Sequence, residues 1–272
     1  MNKLCIAGIV RSAPIYKQLH GEPQLWVNIE IIRQDLDGKS EKLTLMTRDE
    51  ELMRRVFATG LQKGDLFLTD SAFIESVNYT EDDAWICGKC GEQHTNPHKA
   101  EIANAIFTDF MYAKNFANES STIGINDLNI SGRIVSDPRV VDTVSKPSKD
   151  FYRCKCKIAC KYYDVMEKRY KICYPFIVLF GAPALYFTKY AKAGDHINIS
   201  GSLQERNYLK TLDETECPTC KTIVKPSIWQ TTREIIVKTF DLSKPEAMIR
   251  DTSELSKEVS EDKKEEKPSE NI

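Results

Sequence analysis

The sequence contains no apolar run long enough to span a membrane, which needs about 20 residues. The apolar segment from Leu4 to Val10 is too short to predict a signal peptide, because Arg11 interrupts it. No glycine-rich loop of the kind that cradles phosphates is present, and no acidic pair or nucleophile with a nearby base stands out. These absences argue against a membrane protein and a nucleotide-dependent catalyst. We predict that the protein is not an enzyme.

The charge is nearly balanced over the whole chain but is unevenly distributed along it. Residues 1–124 carry 13 basic and 18 acidic side chains, residues 125–240 carry 19 and 12, and residues 241–272 carry 6 and 10. A polyanion is therefore expected to bind the middle segment. The end of the chain is rich in Glu, Lys, Ser and Pro and has no aromatic residue, so we predict that it forms a disordered acidic tail.

Residues 174–208 have the pattern strand, helix, strand. A continuous run of apolar β-formers over residues 176–180 is followed by a segment with Pro183 near the start of a short helix. Gly194 stands where a helix often ends in the left-handed conformation, and residues 197–203 then alternate apolar and polar side chains, as a half-buried strand does. Three side chains of the helix are expected to contact the core: Leu185, Phe187 and Tyr190.

This segment resembles the bacterial type of single-stranded DNA-binding protein, whose fold is the OB barrel. In that family the third strand ends in an aromatic residue and Gly, the helix ends in Lys-x-Gly, and the fourth strand closes on Gly-x-Leu-x-x-Arg-x-aromatic. The matching stretches here are residues 178–181, 192–194 and 201–208, and residues 130–138 resemble the family's first strand with its Asp-Pro turn. The resemblance implies that the second half of the chain is an OB barrel that binds single-stranded DNA.

The first half of the chain repeats these features at a nearly constant distance. Gly8 precedes Gly132 by 124 residues, whereas Asp65 precedes Asp195 and Phe110 precedes Phe240 by 130. Such self-similarity indicates a duplication, and five strands with a helix before the fourth is the order of an OB barrel. We predict an all-β chain of two tandem five-stranded OB-fold barrels, each with one short helix before the fourth strand. The predicted boundaries are an acidic degenerate domain over residues 1–116, a linker over 117–125, a basic domain over 126–242 and the tail over 243–272.

The apolar pattern of the first half predicts five strands and one helix. The predicted strands cover residues 4–10, 25–33, 42–47, 65–76 and 103–113, and the helix covers residues 49–61.

The basic residues of the second half lie close together in sequence. Non-specific binding of a single strand requires cations for the phosphates and aromatic rings for the bases. Alternation over residues 151–161 places the basic side chains on one face of a strand and Cys and Ile on the other, and the hairpin that follows adds three cations. This density exceeds what solubility requires. The predicted phosphate contacts are Arg153, Lys155, Lys157, Lys161, Lys168, Arg169 and Lys171.

The resemblance also implies where bases stack. The family uses aromatic residues of the second, third and fourth strands, and its last motif adds an Arg. Carried onto this sequence, these positions are Tyr163, Tyr174, Phe180, Arg206 and Tyr208. For Tyr162 and Tyr170 the sequence favours equally a packing role in the barrel and a binding role. The equivalent positions of the first half are Thr44, Glu50 and Asn78, none of which stacks, so the first domain is expected to contribute little contact with DNA.

Two Cys-x-x-Cys pairs have the spacing of zinc knuckles, in which each pair supplies half of a tetrahedral site. Both pairs are expected in the loop between the fourth and fifth strands, so we predict one shared structural Zn²⁺ site. Its ligands would be Cys87, Cys90, Cys217 and Cys220. A local site of Cys87, Cys90, His94 and His98 is the rival, and vestigial turns or reversible disulfides would explain the pairs without metal. Nine cysteines with no evident export signal indicate a reducing compartment, with the cytoplasm as the default. The resemblance implies a bacterial protein, and a phage or plasmid gene would fit the departures from the family pattern.

These features predict a protein that coats single-stranded DNA in replication, recombination or repair. The alternative is a zinc-stabilised scaffold of a replication or conjugation complex. The family assembles four barrels, which implies a homodimer, or else a monomeric pseudo-dimer, for a chain with two. Its acidic tail recruits replication and repair proteins through a terminal Pro-Phe, which is absent from the Ser269 to Ile272 stretch here. No membrane partner is expected.

Overall fold

The computed structural model describes residues 1–19, 21–33, 39–116, 124–143, 152–164 and 167–243. Within these ranges no helix is both long enough and apolar enough to cross a membrane. The predicted tail beyond Ser243 and most of the predicted linker, residues 117–123, lie outside the described residues. The first strand of the second half begins at Ile125, at the end of the predicted linker.

The first barrel contains one helix and a set of antiparallel strands that one parallel pair closes. Its elements are β1 (Asn2–Val10), β2 (Ile15–Leu19), β3 (Glu22–Arg33), β4 (Lys39–Thr47), α1 (Glu50–Ala58), β5 (Leu66–Ile86), β6 (Gln93–Phe107) and β7 (Met111–Ala113). The helix begins after Asp49, whose carboxylate accepts a hydrogen bond from the amide of Leu52 at 3.0 Å. It buries Leu52, Met53 and Val56 against the barrel. Parallel pairing of β4 with β6 closes the barrel.

The second barrel repeats this arrangement with an additional hairpin. Its elements are β8 (Ile125–Ile134), β9 (Arg139–Thr143), β10 (Tyr152–Asp164), β11 (Arg169–Cys173), β12 (Phe176–Phe180), α2 (Gly181–Tyr190), β13 (His196–Thr211), β14 (Thr215–Glu216), β15 (Ile223–Val224) and β16 (Ser227–Ser243). Strand β12 pairs in parallel with β16, as β4 does with β6. The predicted all-β chain of two OB barrels is therefore confirmed.

A glycine of the first strand makes the same close contact in each barrel, as expected for a duplicated fold. A Cβ atom at Gly8 would lie 2.7 Å from the carbonyl oxygen of Glu30, and one at Gly132 would lie 2.6 Å from that of Ala159. Both glycines are therefore needed where the first strand crosses the second closely. Gly194 has a φ of 89°, the predicted left-handed conformation, but α2 ends at Tyr190 with Ala191 as its C-cap, so Gly194 lies in the turn before β13 and does not end the helix.

The barrels form one continuous sheet because β1 pairs with β8 in antiparallel register, from Asn2 opposite Ile130 to Ala7 opposite Ile125. Tyr162 adds a second contact between the barrels. Its ring stacks on Phe73 of the first barrel with centroids 5.1 Å apart, and its hydroxyl donates to the Glu75 carboxylate at 2.8 Å. Of the two roles left open for Tyr162, packing is the one that the structure supports.

Two long hairpins project from the barrels, and the sequence pattern did not predict them. We call residues 77–102 (β5 and β6) the first arm and residues 204–234 (β13 to β16) the second arm. The predicted fourth strand ended at Ser76, whereas β5 continues to Ile86. The Cys-x-x-Cys pairs therefore lie at the tips of β-arms rather than in plain loops. On α2, Phe187 is buried as predicted, but Leu185 and Tyr190 are exposed and do not belong to the core.

Candidate nucleic-acid interface and thiolate cluster

Strand β10 separates a charged face from a core face. Cys154, Cys156 and Ile158 are buried, while the residues between them point outward. The outward residues include predicted contacts: Arg153, Lys155, Lys157, Lys161 and Tyr163. We call the outer surface formed by β10, β11, β12 and the base of β13 the basic face.

Cations on the basic face lie over aromatic rings. The ammonium of Lys155 is 4.2 Å from the centroid of the Phe176 ring, and that of Lys157 is 4.8 Å from the same ring. Lys161 lies 5.3 Å from the ring of Tyr170, which contacts Tyr163 edge to face at 5.2 Å. This arrangement holds each charge next to a π surface, so cations of β10 and rings of β11 and β12 offer phosphate and base contacts on one face.

A buried carboxylate organises three of the cations. The side chain of Glu234 on β16 is only 4% exposed, and its oxygens lie 2.5 Å from the Lys155 ammonium, 3.2 Å from Arg153 and 3.4 Å from Arg206. A buried carboxylate is stable only when it is paired in this way. Glu234 neutralises one of the three charges and fixes the position of the others.

The aromatic positions implied by the resemblance differ in their access to solvent. Tyr174, in the turn between β11 and β12, is exposed, and its amide donates to the Ser76 hydroxyl at 3.1 Å. Tyr208 on β13 is 36% exposed, with the Arg206 guanidinium 5.7 Å from its ring centroid. Phe180 is half-buried at the end of β12, directly opposite Arg153. With Tyr163 on β10, which is also exposed, three of the four positions are therefore open to a ligand.

Three predicted cations lie apart from the basic face. Lys171 projects to the opposite side of the β10–β11 hairpin, where its ammonium pairs with Asp164 at 2.8 Å and with Glu167. Arg169 donates to Glu167 at 2.7 Å, and Lys168 occupies the turn with a φ of 51°. The sequence analysis did not assign these cations to a strand face, which the pairing of β10 with β11 fixes. The structure therefore supports a smaller interface than the sequence predicted.

Among the residues that the structure describes, the equivalent positions of the first barrel do not form such a surface. The hydroxyl of Thr44 donates to the side chain of Asn28 at 2.9 Å, and Glu50 is exposed at the start of α1. The side chain of Asn78 lies outside the described residues. Trp26 is half-buried, covered by Lys17 at 4.1 Å and bonded through its indole N–H to Gln24.

The sequence analysis missed Phe176 and left the role of Tyr170, packing or binding, undecided. Phe176 lies within a continuous apolar run, which does not show which side chains face outward. Tyr170 is exposed on the same side of the hairpin as Tyr163. The alternation of β10 and its pairing with β11 and β12 are what assign both rings to the basic face.

The four cysteines of the two arm tips meet, as the shared-site prediction requires. Their sulfur atoms all lie within 4.8 Å of one another, although the pairs are far apart in sequence. Cys87 Sγ is 3.8 Å from Cys220 Sγ, and Cys90 Sγ is 3.7 Å from Cys217 Sγ. Tetrahedral Zn²⁺ with bonds of about 2.3 Å separates its sulfur ligands by about 3.8 Å. We call these four residues the thiolate cluster, and its dimensions fit this metal.

The two tips are built alike. The amide of Cys87 donates to the Glu92 carbonyl and the amide of Cys217 to the Thr222 carbonyl, both at 2.9 Å. Gly91 and Lys221 occupy matching positions with φ values of 78° and 58°. Each turn therefore presents its two sulfurs in the same way.

The surroundings of the thiolate cluster are compact. Trp85 and Ile228 pack against Cys87 and Cys217 in a small core separate from the barrels. The indole N–H of Trp85 is buried and has no hydrogen-bond partner among the described residues. His94 Nε2 lies 3.2 Å from Cys217 Sγ, while the side chain of His98, which the rival site needs, lies outside the described residues.

The thiols of the thiolate cluster differ in acidity. Hydrogen bonds from the hydroxyl and amide of Thr222 lower the pKa of Cys220 to about 6. Amides of Cys90 and Lys89 lower the pKa of Cys87. The amide of Glu92 lowers the pKa of Cys90, but burial and hydrogen bonds with the other three thiols together raise it to about 12. The distances between the sulfurs, and not these differences in acidity, show that the four are close enough to share a cation.

No family model and no curated protein matches this chain. Two solved structures of the single-stranded DNA binding protein from Thermus aquaticus are similar to it. The wild-type structure has a TM-score of 0.56 at 11% identity, covering 90% of this chain and 93% of its own. A deletion mutant has a TM-score of 0.54 at 13% identity, covering 90% and 94%. The chain therefore has the fold of these single-stranded DNA-binding proteins, with two OB barrels in one polypeptide.

Proposed function

We propose that the protein binds single-stranded DNA without sequence preference and without catalysis, through the basic face of the second barrel. Phosphates would contact Arg153, Lys155, Lys157, Lys161 and Arg206, and bases would stack on the neighbouring rings. Coating of DNA during replication, recombination or repair is the biological role that this activity fits. The acidic composition after Ser243 fits recruitment of partner proteins.

The observation that carries the proposal is the interleaving of cations and rings on one solvent-facing surface. Lys155, Lys157 and Lys161 each lie over an aromatic ring, and exposed Tyr163 and Tyr174 extend the same surface. Cations track a backbone of phosphates, and stacking on aromatic rings is available to every base, so neither contact requires a particular sequence. Duplex DNA hides its base faces and would gain only the charge contacts.

The test is fluorescence anisotropy with a labelled thymidine oligonucleotide and a duplex of equal length. Tyr174→Ala with Tyr208→Ala removes two exposed rings and is expected to weaken single-strand binding by about 1 to 3 kcal/mol per lost stack. Tyr16→Ala with Tyr112→Ala removes two exposed rings of the first barrel and is the matched control. Phe180 is left intact because it is half-buried.

Strong preference for the single strand that falls in the first variant and persists in the control would support the proposal. Absence of binding by the intact chain at low salt would overturn it. That result would favour the zinc-stabilised scaffold instead. Sedimentation of the same samples would separate a monomeric pseudo-dimer from a homodimer with four barrels.

We further propose that the thiolate cluster binds one structural Zn²⁺ that joins the two arms. Four protein ligands complete a tetrahedral site, which leaves no position for a reactive water. The metal would supply cross-linking alone, between Cys87 and Cys90 on one arm and Cys217 and Cys220 on the other. A reducing cytoplasm would keep these sulfurs available for metal.

Metal content distinguishes the shared site from the local one. Cys217→Ser with Cys220→Ser should abolish zinc binding as completely as Cys87→Ser with Cys90→Ser does. A local site with His94 would survive the first pair of substitutions. Cys5→Ser, away from the arms, should retain one zinc per chain. An intact protein that purifies without stoichiometric metal and takes up none would contradict the assignment.

A further inference from the structure

The outer side of helix α2 carries exposed apolar and aromatic side chains. Leu185 is 43% exposed, Tyr186 is 55% exposed and Tyr190 is 45% exposed. The centroid of the Tyr186 ring lies 4.6 Å from that of Tyr190 and 6.2 Å from that of Phe240 on β16, so the rings form one surface. We call Leu185, Tyr186, Tyr190 and Phe240 the aromatic face of α2. A contiguous apolar patch on a protein surface is typical of a contact site.

The chain leaves the second barrel beside the aromatic face. Strand β16 ends at Ser243, three residues after Phe240, whose ring contacts Tyr186. Ser243 is opposite His196, which follows Tyr190 by six residues. Three extended residues span about 10 Å, so the segment that follows Ser243 reaches α2 without a long linker.

The sequence after Ser243 has the pattern of one amphipathic helix. Ser243 and Glu246 have the spacing of a capping box, with a proline in the first turn. Met248, Leu255 and Val259 follow at positions i, i+7 and i+11, which places the three apolar side chains on one narrow stripe of a helix. This stripe refines the predicted tail, because the residues after Val259 keep the polar composition expected of disorder.

Both surfaces are unfavourable when they are apart. An isolated helix of about 15 residues is only marginally stable in water, and rings exposed to water gain free energy when they are covered. The charges are also complementary. Residues 246–262 carry six acidic and two basic side chains, whereas Lys189 on α2 and Lys192 just after it are exposed cations. The Lys189 ammonium lies 5.1 Å from the Tyr190 ring, at the border of the aromatic face.

We propose that residues 246–259 form an amphipathic helix that docks on the aromatic face of α2 in the same chain. Met248, Leu255 and Val259 would contact the rings, and the acidic side of the helix would face solvent and the lysines of α2. The inference is independent of DNA binding and goes beyond the proposed function. It leaves residues 260–272 outside the docked segment, where they can reach partner proteins.

Hydrogen exchange of the full chain, followed by mass spectrometry, tests the inference. Peptides that cover residues 246–259 should be protected, and Leu255→Ser should lower this protection by about 10-fold to 150-fold, the equivalent of one buried leucine. Ile249→Ser is the matched control because it removes the same number of carbon atoms about 100° away from Met248, outside the stripe. It should leave the protection within about 2-fold of that of the intact chain.

Hydroxyl-radical oxidation of the same proteins locates the docking surface without changing it. Tyr186 should react more slowly than Tyr112 of the first barrel in the intact chain, although the ring is the more exposed of the two in the barrel structure. Leu255→Ser should raise the reaction rate of Tyr186 and leave that of Tyr112 unchanged, and Ile249→Ser should change neither. Leu255 lies outside both barrels, so this readout does not depend on a variant of the barrel that folds.

Each other result would overturn the inference. Exchange of residues 246–259 at the rate of an unprotected peptide would show that no helix docks. Protection that Leu255→Ser removes without a change in the oxidation of Tyr186 would assign the helix to another surface. Protection that falls on dilution of the protein would assign the aromatic face to the segment of a second copy of the chain.

Discussion

The salt dependence of binding measures how many cations of the basic face contact phosphates. Five cations point to this face, and Glu234 neutralises one of them, so about four phosphates are expected to be contacted. For a single strand the slope of log affinity against log salt is then about −2.8. Lys157→Gln with Lys161→Gln removes two charges and keeps the side-chain stems over their rings, which should reduce the slope to about −1.4.

The difference is large enough to measure by anisotropy. Between 50 and 200 mM salt the intact chain should lose about 50-fold in affinity, and the double variant about 7-fold. Lys39→Gln with Lys63→Gln makes the same change in net charge on exposed residues of the first barrel and should leave the slope unchanged. Equal slopes in all three proteins, or an equal decrease in the control, would refute the assignment of phosphate contacts to the basic face.

Two further predictions concern the contacts that position the barrels and their strands. Tyr162→Phe keeps the ring stack but removes the hydrogen bond to the buried Glu75 carboxylate, so urea unfolding should show a loss of about 1.5 to 3 kcal/mol, whereas the exposed Tyr163→Phe should stay within about 0.5 kcal/mol. An unchanged midpoint for Tyr162→Phe would contradict the role of this bond. Burial raises the pKa of Asp65, but two backbone amides and Lys114 outweigh it and lower that pKa. A carboxyl whose pKa is lower in the folded state stabilises the fold above its unfolded pKa of about 3.9 and loses this contribution as pH falls through the folded value. Asp65→Asn should therefore cost about 1 to 3 kcal/mol at pH 7, and the difference should shrink below about pH 4. A difference that does not change between pH 7 and pH 3 would contradict the ionised form.

Much of the fold was predictable because its signals are local. Alternation in β10 separated the charged face from the core, and the offset between Gly8 and Gly132 indicated that the first strand of the barrel is repeated. The repeated spacing of the cysteine pairs predicted that both would occupy equivalent turns. Alternation reports backbone geometry through neighbouring residues, and the repeat reports it through two equivalent copies of one motif.

The arms were missed because their sequence carries no regular apolar alternation. Glu81, Asp82 and Asp83 are consecutive acidic residues, and such a run interrupts the pattern that predicts a strand.

The sequence by itself determined the two barrels, the row of cations on β10 and the two half-sites of cysteine. Only the tertiary structure decided which cations remain on one surface, because Glu234 is more than 70 residues from Arg153 and pairs with it through the closure of the barrel. It also decided that Cys87 and Cys220 lie 3.8 Å apart. Contacts between distant segments depend on strand register and on the docking of β1 with β8, which no local pattern encodes.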